Sequence, residues 1–140
     1  MKHDPFVIER TYSAPVAKVW EAITNKNQMK IWYFDIDAFK PEVGFKFSFE
    51  GKSDDKTYVH LCKITDVIRD KRLTYSWCYK GYQGISFVTF ELFPAENGTR
   101  LKLTHEGLES FPAQKDFAKE SFAMGWNHII GKSLREFVEK

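Results

Sequence analysis

The chain has 140 residues and a formal charge of +2, and 43% of it is hydrophobic, with 13 Phe, 6 Tyr and 4 Trp. That length supports one domain whose core needs neither metal nor disulfide, and so many aromatics leave irregular gaps where rings meet. The near-neutral charge leaves no electrostatic footprint for nucleic acid or an anionic membrane, since the longest basic cluster, Arg69 to Arg72, contains an aspartate.

In chain order, FVIERTY (Phe6 to Tyr12) is rich in strand formers and reads as an edge strand. Ser13 is the expected N-cap of a helix running to about Thr24, with Pro15 in its first turn and Val16, Val19, Trp20 and Ile23 on one face. A second short helix follows from Asn27 to about Trp32. From Ile36 onward the period changes to two. Phe45, Phe47 and Phe49 alternate with Lys46, Ser48 and Glu50, so this strand has one dry face.

Gly51 to Lys56 is a polar hairpin loop, and Thr57 to Ile68 is a long strand with apolar residues of both parities, so its register stays open. A turn centred near Asp70 sets Cys62 opposite Cys78, while a register shift of one separates them; with no CxxC motif the two read as reduced thiols. Leu73, Tyr75, Trp77 and Tyr79 face one way on the next strand, and Val88, Phe90 and Leu92 point inward from the one after. Asn97-Gly98 signals a two-residue hairpin before Thr99, Leu101, Leu103 and His105. The same site matches a glycosylation sequon, for which the turn is the simpler reading.

Gln114 to Glu139 reads as one amphipathic helix about 36 to 39 Å long. Its apolar side holds Phe122, Trp126, Ile129, Ile130, Ser133, Leu134 and Phe137, with Asp116 in the first turns suiting the dipole. Gly125 flanks this stripe, where it suits a close approach of sheet, loop or ligand; Gly131 falls on the outer side without a reason. The fold class that results is α+β: a strongly curved antiparallel sheet of six to seven strands, meandering, with its dry face covered by the C-terminal helix and two short helices after the first strand. No apolar run is long enough to span a bilayer and the start MKHDPF has no signal-peptide core, so a cytoplasmic protein without membrane insertion is expected.

ERTYSAPVAKVWEAITN followed by MKIWYF resembles the N-terminal signature of the START-like, birch-pollen-allergen-like superfamily (SRPBCC). RLTYSW, VTFELFPAENGTRLKLTHEGL and GWNHIIGKSLREF resemble later signatures of its branch related to the activator of heat-shock protein 90 ATPase. The likeness runs from about Phe6 to Phe137 with each piece in the family's order. It implies a helix-grip fold enclosing a cavity whose ligands, across the superfamily, range over lipids, sterols, polyketides and plant hormones.

Periodicity and resemblance together place Phe47, Phe49, Tyr75, Trp77, Val88, Phe90, Leu103 and His105 of the strands, and Phe122, Trp126, Ile129, Ile130 and Ser133 of the helix, around that cavity, with Trp32 and Phe34 at its mouth. Any one of these aromatics is more readily core than ligand contact; as a set they describe an apolar pocket. Its polar points would be His60, Tyr75, His105, Arg10 and Ser133. Arg10 either pairs with a carboxylate such as Glu106 or anchors an acidic ligand, and Ser133 either bonds its own helix or faces the cavity.

No HExxH, GxSxG, phosphate-cradling loop or metal-ligand cluster is present, and Asp35, Asp37, Asp54 and Asp55 read as solvated loop carboxylates. The expectation is therefore non-catalytic binding of a small hydrophobic or amphipathic ligand, with no cofactor and no metal. A cyclase or aromatase-like enzyme using His105 or Tyr75 as acid/base is the second reading, and a chaperone-associated interaction module the third. Both a monomer and a homodimer are compatible with the sequence.

Overall fold

In the computed structural model, which describes residues 5–36, 38–53 and 56–140, six antiparallel strands form one curved open sheet with the order β1-β6-β5-β4-β3-β2. The strands are β1 (Phe6–Tyr12), β2 (Lys46–Ser53), β3 (Lys56–Ile68), β4 (Arg72–Tyr79), β5 (Ser86–Ala95) and β6 (Gly98–Glu106). β2 to β6 meander as expected, but β1 closes the far edge beside β6, because α1 (Val16–Thr24) and α2 (Lys26–Trp32) carry the chain across the inner face between β1 and β2. No described helix is long and apolar enough to cross a membrane. Asp37, Asp54 and Asp55 lie outside the described residues.

Helix starts differ from expectation for local reasons. Ser13 does not cap α1; its backbone N–H donates to Glu139 Oε2 at 2.8 Å, and the helix opens after Pro15 without a side-chain cap. α2 is capped by Asn25, whose side chain accepts from the Gln28 N–H, so it begins a residue earlier than Asn27. The alternation starts at β2 rather than at Ile36, which instead is a fully buried anchor of the preceding loop, with Phe39 beside it in the core. The polar hairpin loop is shorter than Gly51 to Lys56, since Ser53 already pairs with Lys56.

The mixed parity of β3 has a structural cause. Up to Ile64 its even residues point inward, a β-bulge between Ile64 and Asp66 inserts one residue, and beyond it Val67 packs on the core. The same bulge shifts the register, so Cys62 lies opposite Trp77 and Cys78 opposite Leu61; one thiol is buried and the other faces out. The β5–β6 turn is Glu96-Asn97, with Asn97 at φ 63° and Gly98 already paired to Ala95, one residue short of the expected Asn97-Gly98. Gly98 serves packing: a Cβ there would sit 2.0 Å from the Tyr12 carbonyl oxygen. Gly98→Ala is expected to cost about 2 to 3 kcal/mol in chemical denaturation, through forced displacement of β1.

The C-terminal helix is interrupted. A 3₁₀ turn (Lys115–Phe117) precedes α3 (Lys119–His128), a π-helical turn (Ile129–Ser133) and α4 (Leu134–Val138). Phe122, Trp126, Ile130, Leu134 and Val138 are its buried residues, four apart throughout. A four-residue spacing drifts around a regular α-helix of 3.6 residues per turn, and the wider π turn absorbs the drift. Consequently Val138 is fully buried while Phe137, expected on the apolar side, packs on the core only in part, and Ser133 rotates off the buried line. Tyr12 Oη donates to the Ile130 carbonyl at 2.6 Å, tying β1 to the π turn, and Gly131 lies against the Arg10 side chain.

Candidate functional site

The space between the sheet and the middle of the C-terminal helix is filled by the chain itself. Tyr33 and Phe34, just after α2, insert there: the Tyr33 ring lies 6.2 Å from Trp126 and 5.8 Å from Phe49, and Phe34 stacks on Phe49 at 4.3 Å. What stays open is a cleft of about 260 Å³ toward the helix N-terminus. One wall is the helical stripe Ser121, Phe122, Gly125, Trp126 and Ile129 with Asp116 and Phe117 before it; the other is Gly51, Lys52, Tyr58 and His60 of the β2–β3 hairpin, Trp77 and Tyr79 of β4, and Phe34.

Local geometry shapes each wall. Gly51 leaves room for the His60 ring, whose Cε1 would lie 2.8 Å from a Cβ at that position. His60 stacks nearly parallel on Phe49 at 4.4 Å and meets Trp77 and Tyr79 edge-on. Its Nδ1–H donates to the Tyr58 carbonyl at 3.2 Å, and burial lowers its pKa to about 4, so the ring is neutral. Tyr58 Oη donates to Asp116 Oδ2 at 2.6 Å and fastens β3 to the 3₁₀ turn at the cleft. Trp77 Nε1 donates to Tyr79 Oη at 2.9 Å. Gly125 is the open point of the helical wall, because a Cβ added there meets nothing within 4 Å.

Behind the cleft runs a buried relay. Trp126 Nε1 donates to His105 Nδ1 at 3.0 Å, which leaves Nε2–H to donate to Ser86 Oγ at 2.7 Å, and Ser86 donates on to the Trp77 carbonyl at 3.1 Å. The indole can only donate, so it fixes the histidine tautomer. Burial, with a smaller push from His60, lowers the His105 pKa to about 3.

The family described as Activator of Hsp90 ATPase homolog 1-like protein matches residues 13–139. The chain belongs to that family. It is a branch of the SRPBCC superfamily, and the solved structures that superpose on the chain agree with its helix-grip fold. CV1439 from Chromobacterium violaceum superposes with a TM-score of 0.84 at 20% identity, covering 98% of each chain. BH1534 from Bacillus halodurans does so with 0.77 at 28%, again covering 98% of each. DynU16, encoded in the dynemicin biosynthetic locus, gives 0.80 at 21% over 99% of this chain and 48% of its own, so the chain spans about half of that protein. No curated protein matches the sequence.

In this family member the cleft brings together six of the residues expected around a cavity: Phe34, His60, Trp77, Phe122, Trp126 and Ile129. The others sit elsewhere. Trp32 is core, its Nε1 bonded to the Ala22 carbonyl at 2.8 Å. Phe47, Phe49, Val88, Phe90, Leu103 and Ile130 are packed in the core, and Phe49 is covered directly by the Tyr33–Phe34 insertion. Tyr75 Oη is bonded to Tyr33 Oη at 2.8 Å, and both ring nitrogens of His105 are engaged in the relay, so neither presents a free acid or base to the cleft. Ser133 is turned away by the π turn. Arg10 bonds Asn127 Oδ1 at 3.1 Å and the Glu9 carbonyl rather than Glu106, since Glu106 sits at the opposite end of the β1–β6 ladder.

Sequence reasoning missed Tyr58, Tyr79, Asp116 and Phe117 as cleft residues. Tyr79 carried a usable signal, sharing the parity of Tyr75 and Trp77. Tyr58 was obscured by the bulge that mixes parities in β3, and Phe117 by the 3₁₀ turn that precedes the helix proper.

Proposed function

We propose that the protein binds a small planar aromatic or amphipathic molecule in the cleft between the β2–β3 hairpin and α3, and performs no chemistry on it. The observation that carries this reading is the cleft itself: about 260 Å³ walled by Phe34, Tyr58, Trp77, Tyr79, Phe117, Phe122 and Trp126, with a few polar groups around it. A dry cavity of about 150 Å³ is known to hold a single benzene ring, so this volume suits one or two rings. Burying about 200 Å² of such a ligand gains about 5 kcal/mol, which bounds the affinity of an unelaborated probe at a Kd of about 0.2 mM, and association costs weaken it from there. The non-catalytic part of the proposal is supported by His105 and Tyr75, whose polar atoms are committed inside the protein.

Gly125→Leu tests the reading. Its side chain projects into the open point of the wall, so indole affinity measured by calorimetry should fall at least tenfold, while the melting temperature holds or rises because leucine favours a helix by about 0.8 kcal/mol over glycine. Indole binding that survives this substitution unchanged would show that the probe sits elsewhere.

A further inference from the structure

We propose that Tyr33 and Phe34 set the size of ligand the cleft accepts, by plugging a deeper chamber that ends at Tyr75 and Cys62. The proposal rests on the cleft being the binding site and adds a selectivity rule to it.

The two residues follow α2 at a point that is neither helix nor strand. They form a column that starts in the cleft and runs inward. Phe34 is a wall of the cleft; Tyr33 packs behind it with centroids 4.6 Å apart; the Tyr33 and Tyr75 hydroxyls bond each other at 2.8 Å on the sheet floor. Tyr33 also spans the layers, reaching Trp126 on the helix and Phe49 on the sheet. Both plug residues are only partly buried, whereas Phe49, Tyr75 and Trp126 around them are 4%, 1% and 3% exposed. The two rings therefore cover part of these inner side chains, Phe34 over Phe49 and Tyr33 over Trp126 and Tyr75. Cys62, 4% exposed on the inner face of β3, lies opposite Trp77 and so diagonally across the ladder from Tyr75, whose own partner is Ile64; it marks the far end of the chamber.

The hydroxyl pair determines what could replace the plug. Tyr33 and Tyr75 bury their polar atoms on each other, and a buried hydroxyl left without a partner is costly. A ligand of more than two rings must therefore displace Tyr33 and bring its own oxygen or nitrogen to Tyr75 Oη. Smaller ligands fit in front of Phe34 and leave the pair intact. The chemical class that follows is a one- or two-ring molecule for the closed plug, and a longer aromatic with a polar inner end for the open one.

The test compares indole with the larger probe 1-anilinonaphthalene-8-sulfonate in wild type, Tyr33→Ala, Tyr33→Phe and Phe34→Ala, and maps Cys62 alkylation by iodoacetamide with peptide mass spectrometry. The ratio of affinities for the large over the small probe should rise at least tenfold in Tyr33→Ala, and Cys62 should alkylate at least tenfold faster. Tyr33→Phe keeps the ring and should keep the large probe out. Phe34→Ala widens only the cleft and should leave Cys62 labelling at the wild-type rate; if Tyr33→Ala does not fold by near-ultraviolet circular dichroism, Tyr33→Leu removes the ring and carries the same expectation as Tyr33→Ala. A folded opening variant whose probe ratio and Cys62 labelling stay at wild-type values overturns the proposal, as does a wild type that already takes the large probe as well as the variant does. Failure of the cleft reading looks different: wild type then binds no indole, while Cys62 labelling still reports whether the plug seals the chamber.

Discussion

Between pH 7 and pH 5 the protein should lose about 4 kcal/mol of folding stability, about 2 from each of His60 and His105. Both imidazoles are folded in the neutral form, with pKa values lowered to about 4 and about 3 by burial, against about 6.5 in an unfolded chain. As pH falls through 6.5 the unfolded state takes up protons that the folded state refuses, so stability declines; it levels off only below the folded values. The relay explains why His105 refuses: Nδ1 accepts from the Trp126 indole N–H, so protonating it places two donors face to face. Urea denaturation at pH 7, 6 and 5 measures the slope, and His60→Gln should remove about half of it. A stability that stays flat over this range would mean that both rings reach water in the folded protein.

Trp126→Ala should cost about 4 to 5 kcal/mol, the largest single-residue effect expected in the chain. The indole is 3% exposed and touches Tyr33, Trp77, Phe90 and His105, so its removal opens the joint between sheet and helix at the point where both layers meet the plug. Trp126→Phe separates the polar share from the apolar share. It keeps most of the ring but leaves His105 Nδ1 without its donor, and should cost about 2 kcal/mol. Equal stability of wild type and Trp126→Phe in chemical denaturation would show that the relay contributes nothing beyond packing.

The sheet and its covering helix were legible because their periodicities are strong. Leu73 to Tyr79 and Val88 to Leu92 alternate cleanly, and their inward residues are buried as read. What defeated reading were features that change phase without a local signature. One extra residue between Ile64 and Asp66 separated Cys62 from Cys78, and the π turn brought Val138 rather than Phe137 to full burial. Six of the residues read around a cavity line the cleft and the others do not. Nothing in the string shows that Tyr33 and Phe34 fold back between sheet and helix, since that depends on the volume left there after the other side chains have packed. A cavity is a remainder, and its position follows from the sizes of all its neighbours at once.

The most direct measurement is an indole titration followed through the side-chain N–H resonances of the four tryptophans. Trp77 and Trp126 line the cleft, whereas Trp20 is buried on α1 and Trp32 is held by the Ala22 carbonyl away from it. Saturable shifts of the Trp77 and Trp126 signals, with those of Trp20 and Trp32 unmoved, are the predicted result. Shifts confined to Trp20 and Trp32, or no saturable shift at all, would contradict a ligand site between the β2–β3 hairpin and α3.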